Sequence, residues 1–218
     1  MAFAYLLEAC GDFEAALRLV PGLEAREAEV VTRQIERKLN SPPTSSMGRL
    51  FDAVSVILGG PANATYEGEA ACWLEALAAS WPSVEPPYDF TFHWESGEPA
   101  GPGFARGLIV DVMPAVRELV SEILRGFPRE QAAARFHSTA AELVAGTCQI
   151  LRDERAPNKV ALSGGCFQNA LLTELCLDAL ESQGFEVLWH REAPPNDGGI
   201  SLGQAVVAAA RGQRRCEI

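Results

Sequence analysis

Two glycine-centred segments in the last third of this 218-residue chain restrict its fold more than any other feature. They are Leu162-Ser163-Gly164-Gly165-Cys166-Phe167-Gln168-Asn169 and Pro194-Pro195-Asn196-Asp197-Gly198-Gly199. Each follows a run that predicts a β-strand (Lys159 to Leu162, then Phe185 to His190), and each precedes a stretch with helical spacing. Two such strands joined by a helix from Leu171 to Gln183 form a right-handed βαβ crossover. Both loops then lie at one carboxyl edge of a parallel sheet, where open α/β folds bind ligands. Glycine lets a ligand approach the main chain, and the following helix offers unpaired N–H groups and a positive dipole end to an anion such as a nucleotide phosphate. The alternative is a pair of ordinary βα turns.

Neither loop is a Rossmann or Walker pattern, because the G-x-G-x-x-G spacing and the phosphate-loop lysine are both absent. What distinguishes the pair is the chemistry at its tips. Asn169 is an uncharged amide on the first turn after its loop, suited to a ribose or carbamoyl group, and Asp197 is a carboxylate between Pro-Pro and Gly-Gly, suited to a metal ion bridging to phosphate. The structural alternative for Asp197 is that it caps the final helix.

Upstream, the chain reads as helical. Ala28, Val31, Ile35 and Leu39 recur at helical spacing until Asn40-Ser41-Pro42-Pro43. Ser45 or Ser46 caps a second helix with Leu50, Phe51, Val54, Ile57 and Leu58 on its inner face, stopped by Gly59-Gly60-Pro61. A third carries Tyr66, Ala70, Trp73, Leu74 and Leu77. Asp52 and Glu67 read as first-turn acids, which the helix dipole favours on structural grounds alone. Residues 81–106 are rich in proline, glycine and aromatics; the alternation of Tyr88, Phe90, Phe92 and Trp94 with Asp89, Thr91 and His93 predicts a strand with one buried face, returning as a hairpin through Leu108 to Val110. Pro114 starts a helix that runs to Leu124, and Pro128 opens a longer one with Phe136, Ala140, Val144, Thr147 and Leu151 on one face. His137, next to Phe136, reads as a packed histidine, and His93 as solvent-facing. The expected organisation is a helical segment with a hairpin strand over 1–106 and an α/β nucleotide-binding lobe over 107–218.

A formal net charge of −11 argues against nucleic acid and anionic membrane surfaces as partners. No apolar run approaches the length of a membrane span, and no signal peptide is evident, so a cytoplasmic setting is expected. The six cysteines (10, 72, 148, 166, 176 and 216) show no C-x-x-C and no zinc-ligand spacing; they read as reduced and structural, with Cys72, Cys148 and Cys176 on apolar helical stripes.

Taken together, Ser163 to Asn169, the run Pro194 to Ala205, and the upstream segments Ser45-Ser46-Met47-Gly48-Arg49-Leu50-Phe51-Asp52-Ala53 and Thr65-Tyr66-Glu67-Gly68-Glu69-Ala70-Ala71 resemble the C-terminal end of the HypF hydrogenase-maturation carbamoyltransferases. These motifs span residues 40–212, and the segment before Ser41 is similar only in its helical character. The resemblance implies an α/β Kae1-like domain of the actin-like ATPase superfold, mainly its C-terminal lobe with a helical first half. It implies binding of ATP-derived carbamoyl-adenylate and transfer of the carbamoyl group to the C-terminal cysteine of a HypE-like acceptor. Carried over by position, Asp52 would contact the nucleotide's sugar or acyl part, Gly68 would line its phosphate side, Gly164, Gly165 and Asn169 would hold the adenylate, and Asp197 would ligate a divalent metal (Fe, Zn or Mg). The family's metal-binding histidine pair, acylphosphatase module, zinc fingers and adenylate-forming domain have no counterpart here, since His93, His137 and His190 lack the spacing. The chain is therefore expected to act with a first-lobe or adenylate-forming HypF part, or else to be a catalytically incomplete nucleotide-binding or partner-docking module.

Overall fold

A computed structural model describes residues 1–95, 107–154 and 156–215. The loop of the predicted hairpin (96–106), with the expected division at 106/107, and Cys216 lie outside the described residues. The chain divides into two compact units, Met1–Leu143 and Val144–Ile218.

The first unit is built from helices α1 (Ala2–Cys10), α2 (Phe13–Arg18), α3 (Ala25–Glu36), α4 (Met47–Ile57), α5 (Glu69–Ala79) and α6 (Met113–Leu124), the first part of α7 (Arg129–Asp153), and the antiparallel strands β1 (Thr91–Trp94) and β2 (Leu108–Asp111). The caps follow the sequence. Asp12 accepts the Ala15 N–H at 2.7 Å, Ser46 accepts the Arg49 N–H at 3.3 Å, and Pro114 sits in the first turn of α6, where its missing N–H costs nothing. Burial concentrates on α4 and the residue that closes it, where Leu50, Phe51, Val54, Ile57 and the capping Leu58 are enclosed as expected. Phe51 meets Phe136 of α7 edge-to-face at 4.9 Å and His137 at 5.4 Å.

Several expectations are corrected. In α3 only Ala28 is buried, while Ile35 is exposed and Leu39 lies beyond the helix end. Tyr66 is exposed and precedes α5, and Cys72 is exposed rather than on an apolar stripe. Leu151, expected on the shared face of α7, is also exposed. Asp52 lies in the second turn of α4 and Glu67 lies before α5, so neither is a first-turn acid; that position in α5 belongs to Glu69. Its carboxylate accepts the Thr65 N–H at 2.5 Å and the Thr65 hydroxyl at 3.0 Å, and these bonds hold it below the usual carboxylate range. The inward–outward alternation from Tyr88 to Trp94 is present, yet only Thr91–Trp94 form a ladder, because Tyr88 is anchored differently.

Tyr88 is almost fully enclosed, and its hydroxyl donates to Glu122 of α6 at 2.6 Å. The other oxygen of that buried carboxylate takes Arg135 Nη1 at 2.6 Å, while Arg135 Nη2 pairs with Glu118 at 2.7 Å and its guanidinium lies 4.1 Å from the Tyr88 ring centre. Arg135 Nε donates to Pro86 O at 3.1 Å, and Tyr88 N–H to Thr139 Oγ1 at 2.8 Å. A charge buried at Glu122 is tolerable only because both oxygens are paired. The network therefore pins the proline-rich segment that leads into β1 onto α6 and α7.

The second unit holds the rest of α7, β3 (Lys159–Leu162), α8 (Ala170–Ser182), β4 (Glu186–Trp189) and α9 (Ile200–Arg215). β3 and β4 pair in parallel, Lys159 opposite Glu186 through Leu162 opposite Trp189. At the amino end of the strands, Arg152 donates to Asn158 Oδ1 at 2.9 Å and to Gln183 O at 3.0 Å while stacking over Phe185 at 4.0 Å, and Asn158 Nδ2 donates to Gly184 O at 2.6 Å. Leu172, Cys176 and Leu180 bury the inner face of α8. Burial pushes the Cys176 thiol up to about 12, so it remains a protonated packing group. Among the described residues no helix is long and apolar enough to cross a membrane.

Replacing Arg135 by Met should cost about 3–5 kcal/mol, because Glu122 is left buried without its cation. Urea unfolding measures this, and a loss below about 1 kcal/mol would show that the network does not anchor the segment. His137 supplies a second expectation. It is buried and its ring Nδ1 donates a hydrogen bond to Ala133 O at 2.8 Å; burial holds the imidazole below its ordinary value despite that bond. The unfolded chain therefore binds the proton first as pH falls, and stability is lost from about pH 6.5 downward until the folded histidine also titrates. The slope approaches about 1.4 kcal/mol per pH unit. His137→Leu should remove that component when the two proteins' unfolding curves are compared between pH 7 and 5.

Candidate functional site

The register of β3 and β4 determines what meets at their carboxyl ends. The last paired residues, Leu162 and Trp189, are followed by Ser163 and His190, and then by the two glycine loops. Gly164 N–H donates to Pro195 O at 2.8 Å, which joins the first loop directly to the second. Ser163 Oγ lies 3.5 Å from the same carbonyl and 3.1 Å from His190 Nε2. The pairing of loops expected from the βαβ pattern is thus present as a hydrogen-bonded corner.

Each loop closes into a single 3-10 turn, Gly165–Gln168 and Asp197–Gly199, before its helix. Gly164 has φ 109° and ψ 161°, a backbone region that only glycine enters without strain. Gly165 differs: a Cβ built there meets nothing within 4 Å, so packing does not account for its missing side chain. Gly199 is explained by packing alone, since a Cβ would come within 2.6 Å of Pro194 O. Ser163, Gly164, Gly165, Asp197 and Gly198 are all exposed, and the corner is open surface.

Asn169 is buried at 8% exposure and caps α8, its Oδ1 accepting the Leu172 N–H at 2.8 Å. Thr173 Oγ1 donates to Asn169 O at 2.9 Å. The amide is therefore fixed in orientation by the helix it starts. Capping at the second loop falls to Asn196, whose Oδ1 accepts the Gly198 N–H at 3.1 Å, so Asp197 is exposed without serving as the cap. Sequence reasoning missed both Asn196 and the Ser163–His190 contact. Extending the parallel register one residue past Leu162 and Trp189 would have found the latter.

Asp52 and Gly68 belong to the first unit. Asp52 is half-buried in α4, and Gly68 is the residue before α5, at φ 82°, where glycine satisfies the backbone whatever else it does. The metal expectation can be weighed on the donor set. Among the described residues no three of His, Cys, Asp and Glu group to hold an ion, and one exposed carboxylate falls short of the ligand number that Fe, Zn or Mg needs. The described residues do not make a metal site by themselves.

Residues 1–204 match the family model described as the carbamoyltransferase Kae1-like domain, second subdomain. The chain belongs to the HypF carbamoyltransferase family. As a HypF-family domain it is similar to the carbamoyltransferase HypF2 of Cupriavidus necator, 36% identical over 84% of this chain and 24% of that protein. It is also similar to HypF of Rhodobacter capsulatus, 35% identical over 94% and 24% respectively. A crystal structure of full-length HypF in a phosphate- and nucleotide-bound form has the same fold, with a TM-score of 0.80 and 33% identity over 94% of this chain and 26% of that one. The chain thus spans about a quarter of the length of these HypF proteins. The family match begins at residue 1, not near residue 40, so α1–α3 belong to the HypF domain. They carry no motif because their contribution is the spacing of apolar residues, which many sequences satisfy.

Gly164→Ala should cost about 1–3 kcal/mol from backbone strain. Gly165→Ala, with open space around its Cβ, should leave thermal stability within about 0.5 kcal/mol. Calorimetry on both variants checks the contrast, and equal losses would mean that Gly165 also has a packing role.

Proposed function

We propose that this chain is the nucleotide-facing lobe of a HypF-type carbamoyltransferase with the actin-like superfold. In this reading it binds carbamoyl-adenylate and passes the carbamoyl group to the C-terminal cysteine of a HypE-like acceptor in the cytoplasm. The observation that carries the reading is the Gly164–Pro195 hydrogen bond, which makes one corner of two loops. An activated ester has two ends to be held, its phosphate and its acyl group, and two adjoining loops can grip both.

The roles follow from the chemistry of each residue. Gly164 and Gly165 let the adenylate phosphate approach the main chain, and Gly165 keeps that approach clear. The oriented Asn169 holds the adenylate next to the start of α8. By their positions in the family's motifs, Asp52 is assigned the sugar or acyl contact and Gly68 the phosphate-side lining. Asp197 would supply one ligand of a divalent metal shared with a further HypF lobe. The acceptor's cysteine sulfur attacks the carbamoyl carbon as it loses its proton, a C–S bond forms, and the C–O bond to the adenylate breaks, releasing AMP. This chain need provide no covalent nucleophile. An adenylate-forming HypF part supplies the donor.

A second reading, a nucleotide-binding or partner-docking module that does not itself complete transfer, is favoured by the lack of a three-donor group among the described residues. Reconstitution separates the two. The chain is mixed with an adenylate-forming HypF part, ATP, carbamoyl phosphate and a HypE-like acceptor, and the acceptor cysteine is followed by mass spectrometry. Carbamoylation that depends on this chain and falls by roughly tenfold or more in Asp197→Ala supports the transferase. Calorimetric binding of ATP without any transfer selects the module, and absence of both overturns the nucleotide reading altogether.

A further inference from the structure

Ser163 and His190 have no place in the roles given so far, yet they occupy the next rung beyond the parallel ladder. Their side chains lie on the same side of the pair and meet at 3.1 Å, beside the loop junction. Both are exposed. The corner does not need them for its shape, because the strand register and the Gly164–Pro195 bond already define it. A solvent-facing hydrogen bond adds little to stability in any case.

Pro195 O already accepts the Gly164 N–H at 2.8 Å and is 3.5 Å from the Ser163 hydroxyl, at the limit of a hydrogen bond. In the tautomer with its proton on Nδ1, His190 Nε2 accepts the Ser163 hydroxyl. That arrangement is a hydroxyl backed by a base.

The remaining candidates for a base are less suited. Within 163–169 and 190–199, His190 is the one imidazole; Arg191 lies over the Trp189 ring at 5.2 Å, and among the described hydrogen bonds none joins Glu192 or Asp197 to Ser163. His137 is buried with its Nδ1 on Ala133 O, and His93 lies on β1 in the first unit. Two residues on, a Cβ built at Gly165 meets nothing within 4 Å, so the surface there is open.

We propose that Ser163 and His190 form the proton relay that deprotonates the acceptor thiol during carbamoyl transfer. The proposal rests on the carbamoyltransferase reading above. The Ser163 oxygen takes the proton from the acceptor S–H as the sulfur attacks the carbamoyl carbon, and the Ser163 proton passes to His190 Nε2. A C–S bond forms, the C–O bond to the adenylate breaks with its electron pair, AMP leaves, and the imidazolium later returns its proton to water. The relay consumes no redox equivalent and needs no further co-reactant.

The test uses the reconstituted system with His190→Ala, His190→Gln and Ser163→Ala. Glutamine keeps a side-chain amide within reach of Ser163 but cannot carry the proton. All three variants should lose about 100-fold in kcat for transfer, while KM for the acceptor and the affinity for ATP stay within about twofold. The double variant H190A/S163A should be no slower than the slower single one, since one relay is broken once. Added imidazole should restore part of the rate to His190→Ala and none to Ser163→Ala. Wild-type kcat in His190→Gln, no response of His190→Ala to imidazole, or a loss confined to KM would overturn the relay. Absence of transfer in the wild-type sample would instead overturn the carbamoyltransferase reading, and the relay with it.

Discussion

Parallel pairing of β3 with β4 is the constraint on which the second unit of this protein depends. Strands that run in the same direction cannot be joined by a tight turn, so the chain must leave the carboxyl end of β3, cross back through α8, and re-enter at the amino end of β4. That route places both strand exits, and everything that follows them, at one edge. The backbone bond from Gly164 to Pro195, the contact of Ser163 with His190, and the orientation of Asn169 at the start of α8 are local consequences. The opposite end of the pair is fixed by Arg152 and Asn158, so the register is held from both ends.

The first unit is organised on a different principle. Its core is ordinary apolar burial on α4, α6 and α7, but the segment leading into β1 is held by a buried carboxylate shared between a tyrosine hydroxyl and an arginine. Such a network contributes less net stability than apolar packing would, because desolvating its charges costs nearly what pairing returns. Its value is positional: the geometry that satisfies Glu122 is narrow, and a proline-rich segment with few apolar anchors is thereby given one place to lie. The unit needs that anchor because β1 and β2 are only four residues each.

Much of this was legible in the chain's linear pattern. The caps at Ser46 and Pro114, the buried stripe of α4, the alternation from Tyr88 to Trp94, and the two strand–loop–helix units follow from periodicity and turn chemistry. The misjudged positions share a cause. Tyr66, Cys72 and Leu151 are apolar or near-apolar residues at plausible helical spacing, and spacing alone does not say which face a neighbouring element will cover. Asp52 and Glu67 were displaced by a turn or less, which is enough to remove a carboxylate from the helix end where the dipole acts. At the site, Gly164, Gly165, Asn169 and Asp197 stood out as residue types, whereas the capping role of Asn196 depends on a bend that propensity does not resolve.

By itself the sequence determined that this is an α/β chain with two glycine corners of one parallel pair, and it determined membership in the HypF family through motifs whose residue types and order are specific. Local spacing suffices for those conclusions because strands, caps and turns are set within a few residues of themselves. Only the tertiary structure decided that Gly164 bonds Pro195, that Ser163 meets His190, and that Glu122 holds Tyr88 and Arg135 together. Those partners are separated by 13 to 34 positions along the chain, and their distances depend on how strands and helices pack. No local preference encodes that packing.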